Sequence, residues 1–531
     1  MIRSNLSLAI LSLLLLFFKT TAAFGQQWTE PLSASGYLRI EATSIYLSSS
    51  SRFGQRVENG SLVREIEPLG YDLTSANIGS RLLPTLSSLE DQLGGLTDDK
   101  DYAVNLGASV TNLTRHEVRV PINVSIGIQD YMTLGVSIPI TRRRTEVTTS
   151  FNGVNANVGI SPSITNINEV SAFLSSLATA EKDLSSITRS LCSSAANSAQ
   201  CIQANNILEE SGRFRQILNN SYANYGVFPL QGSNAGNSLQ LQLDALASAQ
   251  SNLGIISYPT TVPLANQPMT SSHYESLITD PSYNIAVSPL RSWGSPWEIG
   301  DIELFTNFKL LANDLNVKAN GAHSTNELHY LIGLGGLVRL GTGHLDLVSN
   351  MIDIGSGDGQ NDFELKIFGH LSQLNLWSVW AEVAYGLQRP TSVVKRVAHS
   401  YQAFPSQSSL QITTWTPGAY SQLRFSPSYH LTNELTLLAD SRYFKKQSDR
   451  YVTSLQADCH SSTCLNPKPL EDETQMTFFE LGGGFMFSSR SPGSTRPLRI
   501  RLLYRAPMTG SGGMTARTTS IEFGVQILQG F

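Results

Sequence analysis

Beyond its first two dozen residues the chain holds no run of about 18 uncharged apolar residues, the length a transmembrane helix needs. Charge is scarce too. Asp, Glu, Lys and Arg make up 15% of the 531 residues, against roughly 25% in an average soluble domain. The small excess is acidic, a net charge of −5, and offers nucleic acid no basic surface. There are four cysteines and nine histidines. No G-x-S-x-G or H-E-x-x-H occurs, and neither His329 nor His344 has a serine or carboxylate signature beside it. The acids and glycines from Asp353 to Asp362 depart from EF-hand spacing and read as a glycine-rich turn. The sequence therefore gives no reason to expect an enzyme, a bound metal or a cofactor.

Mean hydropathy is close to zero despite the low charge. Regular alternation of apolar and polar residues produces that combination, as in the wall of a membrane barrel. The N-terminus adds a secretory pattern. Arg3 precedes an apolar stretch from Leu8 to Phe18, Lys19 cuts it short, and Ala23-Phe24-Gly25 supplies small residues for cleavage. Residues 1–25 are expected to be a cleaved signal peptide, and no lipobox cysteine follows.

The alternation is explicit from Glu117 to Ile128. Val118, Val120, Ile122, Val124, Ile126 and Ile128 share one face; Glu117, Arg119, Pro121, Asn123, Ser125 and Gly127 share the other. The pattern returns in Leu134–Ile140, Ile302–Leu310, Leu328–Leu340, Phe363–Ile367, Trp377–Tyr385, Phe479–Phe487 and Leu498–Tyr504. In the last strand Ile521, Phe523, Val525, Ile527 and Phe531 share a face. A strand ending on an aromatic residue resembles the C-terminal signal read by barrel-insertion machinery.

Short turns at Gln129-Asp130-Tyr131, Ser372-Gln373-Leu374, Thr432-Asn433-Glu434 and Ser491-Pro492-Gly493 belong on the periplasmic side, and long loops outside. The expected fold is all-β: a transmembrane antiparallel up-and-down β-barrel of about 12 strands, or 14 if a long loop hides a hairpin. It would span residues 26–531, from a first strand near Ser35–Leu47 to a last near Arg517–Gln529, embedded in outer-membrane lipid.

Two connections are long enough to carry helical insertions, 48–100 and 152–297. In the first, Ile78, Leu82, Leu86, Leu89 and Leu93 approximate helical spacing. Pro84 would open the second of two short helices and Gly94-Gly95 would end it. In the second, Asn166 and Glu169 suggest a capping box before a stripe of Val170, Phe173, Leu174, Leu177, Leu184, Ile187 and Leu191. Cys192 would end that helix and Cys201 open another, with a third near Ser238–Leu253. The stretch from Pro259 to Pro289 has little periodicity. Two tight cysteine pairs in a secreted chain, Cys192 with Cys201 and Cys459 with Cys464, read as local disulfides; their spacing suits zinc poorly. The helical stripes need an apolar partner. The barrel mouth would make the insertion a lid; self-packing would make it a surface appendage, a closed barrel's head for binding a partner.

Parity assigns the lumen-facing charges Arg39, Glu41, Glu117, Arg119, Glu303, Lys309, Glu327, Arg339, Glu364, Lys366, Glu382, Arg424, Arg442, Glu480, Arg499, Arg501, Arg505 and Glu522. They could line a solute filter. They could equally pair with one another and fill a narrow barrel. Closure of the first strand on the last would bring Glu41, Glu522 and the Arg499–Arg501–Arg505 ladder together.

Two segments carry a family resemblance. Trp297-Glu298-Ile299-Gly300-Asp301-Ile302-Glu303-Leu304 resembles the glycine-acid strand entry of the outer-membrane transporter-like family linked to the meta-pathway of phenol degradation. Gly355-Ser356-Gly357-Asp358, followed by Asp362-Phe363-Glu364-Leu365, resembles that family's second such entry. The resemblance runs from about Arg115 to the C-terminus without the large insertion. It is similar in kind to the long-chain fatty-acid transporter barrels, although the N-terminus lacks their plug motif. It implies passive uptake of small hydrophobic or aromatic compounds.

Overall fold

The structure, a computed structural model, describes residues 31–530 apart from 59–60, 314–327, 358, 374–375, 400, 454–464 and 490–497. The expected leader, Glu327, Cys459, Cys464 and Phe531 lie outside the described residues.

Twelve strands form the wall: β1 (Tyr37–Ser49), β2 (Ala108–Gln129), β3 (Met132–Asn152), β4 (Ile302–Ala312), β5 (Leu328–Leu340), β6 (Asp362–Gln373), β7 (Trp377–Leu387), β8 (Tyr420–His430), β9 (Leu435–Lys446), β10 (Met476–Ser488), β11 (Leu498–Ser511) and β12 (Thr519–Gly530). Each pairs antiparallel with the next. The pairing of β3 with β4 bridges the largest insertion, from Glu303↔Ser137 to Phe308↔Met132. β12 returns to β1 over Tyr37↔Gly530 to Ser48↔Thr519. The ring is closed and leaves no edge strand with unpaired backbone groups. Two short strands, Trp293–Gly294 and Glu298–Ile299, extend the sheet along the upper part of β3.

The faces follow the alternation. Ile40, Leu304, Ile367, Val383, Phe425, Leu502 and Phe523 are exposed on the outer wall. Arg39, Glu41, Asn123, Thr133, Glu303, Lys366, Arg501 and Glu522 are buried inside. An apolar exterior around a polar interior inverts the usual soluble arrangement and matches a lipid-facing barrel.

β2 and β3 have 22 and 21 residues, about twice the 9–11 needed to cross a bilayer. Their hairpin therefore stands well clear of the apolar belt and carries a head. The head holds α1 (Ser87–Thr97), α2 (Ile167–Ser194), α3 (Ala199–Asn224), α4 (Asn234–Ser251) and α5 (Ser271–Thr279). Leu93 of α1, Leu184 of α2, Phe214 of α3, Leu243 of α4, Leu277 of α5 and Phe404 of the β7–β8 loop belong to one buried apolar core. The helical stripes thus bury against one another and not against the barrel mouth, because five helices with apolar faces suffice to form a dry core of their own. The head still spans the mouth. Arg396, in the β7–β8 loop, donates to the carbonyls of Ala286 (3.0 Å) and Pro405 (2.7 Å). β7 lies four places round the ring from β3.

Several local expectations change. Residues 51–68 form a hairpin, Ser51–Glu58 with Ser61–Pro68, inside the insertion expected to carry helices and outside the twelve-stranded wall. Pro84 opens a single 3-10 turn, Pro84–Leu86. α1 runs through Gly94-Gly95 and stops at Asp98, whose φ of 54° is left-handed. Gly94 is needed there because a Cβ would stand 2.7 Å from the carbonyl oxygen of Asp99. The Asn166 side chain donates to Glu169 (2.6 Å) and makes no backbone cap. α2 continues past Cys192 to Ser194, and α3 starts at Ala199, where the Ser198 hydroxyl accepts from the Cys201 N–H (3.1 Å). The Cys192–Cys201 disulfide joins them with a Cα–Cα distance of 5.0 Å. α5 lies in the stretch without periodicity; nine residues are too few for a clear stripe.

Candidate functional site

The lumen is the candidate site, and its charges are organised into ladders. On β4, β5 and β6, the Arg339 guanidinium meets Glu303 (2.9 Å) and Asp362. Arg339 is only 1% exposed, so both carboxylates are engaged away from water. Next to this group the Tyr420 hydroxyl of β8 donates to Glu364 of β6 (2.7 Å) across the intervening β7. Gly386 makes that crossing possible: a Cβ there would lie 2.1 Å from the Tyr420 ring. Lys366 and Glu382 approach to 3.7 Å.

A second ladder follows the opposite arc. Arg424 of β8 binds Asp440 of β9 (2.9 Å), which Ser426 also contacts (2.5 Å). Asp440 binds Arg505 of β11 (2.5 Å) across β10. Arg505 reaches Glu522 of β12, which Arg501 also meets (2.8 Å). Arg442 donates to Gln422 (3.0 Å) and pairs with Glu480 (3.4 Å). Arg39 donates to Ser125 (3.1 Å) and Thr43 donates to Glu41 (3.5 Å). Pairing of this kind is what keeps charge tolerable in a low-dielectric interior.

Aromatic side chains fill the wall between the ladders. Phe368 and Trp380 stack at 5.4 Å, and Phe444 and Phe478 at 5.0 Å. The Arg442 guanidinium lies 5.2 Å from the Phe478 ring centre. A cavity of about 20 Å³ touches Trp380, Arg424, Asp440, Arg501 and Leu503, enough for about one water-sized molecule.

Both mouths are narrowed from within the chain. At the periplasmic end, Pro31 to Ser33 lie inside the ring. Asn307 donates to the Pro31 carbonyl (2.9 Å), and the Ser33 N–H donates to Thr133 (2.8 Å). At the other end the β5–β6 loop leans onto the inner face of β3. Thr145 donates to the Ile352 carbonyl (2.9 Å), and Arg143 to that of Ile354.

The sequence-derived residues fall into groups. Glu303, Arg339, Glu364, Lys366, Arg424, Arg442, Arg501, Arg505 and Glu522 are buried within the ladders or beside them. Glu117 and Arg119 bind each other (2.7 Å), half-buried and apart from both. Lys309 and Arg499 are half-buried inward positions, facing Gly333 and Gln526 across their strand pairs. Closure sets Glu41 opposite Gln526, and Arg501 and Arg505, not Arg499, hold Glu522. Asp440, Asp362, Arg143, Tyr420 and Trp380 complete the lining, although the parity reading passed over them. Asp440 shares the parity of Arg442 and Arg143 that of Thr141, so continuing each series by one step finds them.

No protein-family model matches the chain, and no curated protein matches it in sequence. Among solved structures, an outer membrane channel from Pseudomonas putida F1 is similar over 96% of this chain and 100% of its own, at 7% identity and a TM-score of 0.38. The Pseudomonas putida toluene transporter TodX aligns over 94% and 90%, at 10% identity and a TM-score of 0.26. A Pseudomonas aeruginosa FadL homologue aligns over 93% and 90%, at 8% identity and a TM-score of 0.26. The fold assignment rests on the closed ladder of strand pairs itself.

Proposed function

We propose that the protein is an outer-membrane channel for the passive passage of small hydrophobic or aromatic compounds. The observation that carries this reading is the closed twelve-stranded ring with an apolar exterior and a polar, aromatic-studded interior. A ring of this size is filled by its lining side chains and holds no wide aqueous pore, so passage would proceed by local shifts of that lining. Phe368, Trp380, Tyr420 and Phe444 are buried in the interior, so an apolar ring would reach their faces by displacing the side chains packed on them, while the paired ladders present little free charge to draw ions through. The glycine-acid strand entries at Gly300-Asp301 and Asp358–Asp362 support the same substrate class by resemblance. Residues 1–25 would direct export, and the C-terminal strand would recruit the insertion machinery.

The test is uptake of a labelled monoaromatic compound by cells with and without the gene, paired with single-channel recording of the purified chain. We expect slower uptake without the gene and small conductance events. Equal uptake and a silent bilayer would overturn the reading.

A further inference from the structure

The lumen does not account for a groove on the outer wall. It has a volume of about 750 Å³ and lies where β1, β2 and β3 emerge from the apolar belt, beside the segment Ser292–Ser295. Tyr46, His116, Arg142, Arg144, Glu146 and Trp293 line it. We propose that this groove binds the phosphorylated headgroup of an outer-leaflet glycolipid.

Height on the wall is the first argument. Along β3 the outward residues are Leu134, Val136, Ile138 and Ile140, and then the series changes abruptly to Arg142, Arg144 and Glu146. Arg142 is ten residues above Met132 at the periplasmic turn. At ~3.3 Å per residue and the usual strand tilt of roughly 40°, that is about 25 Å along the membrane normal, one hydrocarbon thickness. Arg142 therefore stands at the outer-leaflet headgroup level. Across the strands it pairs with Val118, and Val118 with Tyr46, an exposed aromatic of the kind that marks this interface.

Charge is the second argument. Arg142 is exposed and has no side-chain partner among the described residues. Arg144 has a single carboxylate partner, Glu146 at 3.2 Å, and its side chain remains 66% exposed. The groove thus exposes two guanidinium groups against one carboxylate, the third arginine of its lining, Arg143, being buried against Glu298. Guanidinium groups take phosphate oxygens in paired, charge-assisted hydrogen bonds.

The third argument is a prearranged polar wall. The Tyr46 hydroxyl and His116 Nδ1 are 2.8 Å apart, and their rings stack at 5.9 Å. Ser48 reaches the same nitrogen at 3.3 Å. These groups present hydroxyl and imidazole edges beside the arginines, suited to the sugar hydroxyls next to a phosphate. A lipid has lateral access to this wall; a soluble protein meets the bilayer first.

The inference rests on the outer-membrane reading, and the experiment separates the two. The purified full-length chain in detergent is titrated with bisphosphorylated lipid A, with dephosphorylated lipid A in parallel, and binding is followed by native mass spectrometry. We expect retention of the bisphosphorylated lipid, with affinity reduced about tenfold or more in Arg142→Ala/Arg144→Ala, since both charge-assisted contacts to phosphate are lost. Arg142→Lys/Arg144→Lys should recover part of it. Heat-modifiable migration on gels confirms that each variant is folded. Unchanged affinity in the alanine variant, or equal binding of the dephosphorylated lipid, would overturn the site. Absence of the chain from the outer-membrane fraction would overturn the localisation instead, whatever the detergent titration shows.

Discussion

Arg505 on β11 and Asp440 on β9 are joined at 2.5 Å across the strand that separates them. The bond requires Gly482 on β10, because a Cβ there would sit 2.6 Å from Arg505 Cγ. Asp440 also holds Arg424, so one carboxylate balances two guanidinium groups.

Replacing Asp440 should therefore be costly. Asp440→Asn leaves Arg424 and Arg505 short of a counter-charge in a site closed to water. Removing one partner of a buried pair costs about 3–5 kcal/mol. The expected outcome is a lower urea midpoint for loss of the heat-modifiable barrel form. A midpoint equal to wild type would show that water or another carboxylate already reaches these guanidinium groups.

Gly386 should tolerate no side chain. Gly386→Val would displace the Tyr420 ring and break its bond to Glu364. Overpacking costs about 1–3 kcal/mol, and the lost buried hydrogen bond about 1–3 more. Tyr420→Phe should cost only the second part. Comparing the two unfolding curves isolates the steric share, and identical curves would refute it.

The Cys192–Cys201 disulfide closes a short loop within the head. Its loss, in Cys192→Ser/Cys201→Ser, should cost the head about 2–3 kcal/mol by loop-closure entropy. The barrel should not respond. Limited proteolysis should cut between α2 and α3 sooner while the heat-modifiable band stays unchanged. Parallel loss of the band would show that head and barrel unfold as one unit.

Acid should loosen the β9–β10 loop. Burial alone would raise the Glu471 carboxyl, but the hydrogen bonds from Lys468 and the Tyr451 N–H outweigh it and hold it below the usual range. A depressed folded-state value means that the contribution is full above the ordinary glutamate pKa and fades as pH falls through the folded value. Hydrogen exchange at Tyr451, corrected for intrinsic rate, should quicken below about pH 4. Glu471→Gln should abolish that dependence.

The wall was legible in sequence because each of its strands repeats one physical requirement, lipid on one side and polar fill on the other. Val118–Ile128 needs no neighbour to declare its faces. The lumen was only half legible. Parity points Arg505 inward, but the choice of Asp440 as its partner depends on Gly482, which stands opposite both on the strand between them, and no local pattern records that. The hairpin Ser51–Pro68 is hard to read because its apolar face is only two residues per strand, Phe53 and Val57 opposite Ile66 and Leu62, among Arg52, Arg56, Glu58, Arg64, Glu65 and Glu67. Ion pairs from Arg52 to Glu67 (3.2 Å) and Asp72 (2.6 Å) help to hold it. In the head, the stripe on α2 announces that a partner exists without saying which.

The long β2–β3 hairpin has a consequence for assembly. Its strands adjoin in sequence, joined by the turn at Asp130-Tyr131, so its ladder forms from local contacts. Closing the ring instead joins Tyr37 to Gly530 and must wait for the whole chain. Contacts so different in sequence separation form on different timescales. The segments that flank the hairpin also supply α1 to α5, so mast and helices make up one contiguous stretch of chain, to which the β7–β8 loop adds Ala403 and Phe404. The helices of the head thus need nothing from the seam between β12 and β1, and among the described residues of their buried core only those two wait for the β7–β8 loop.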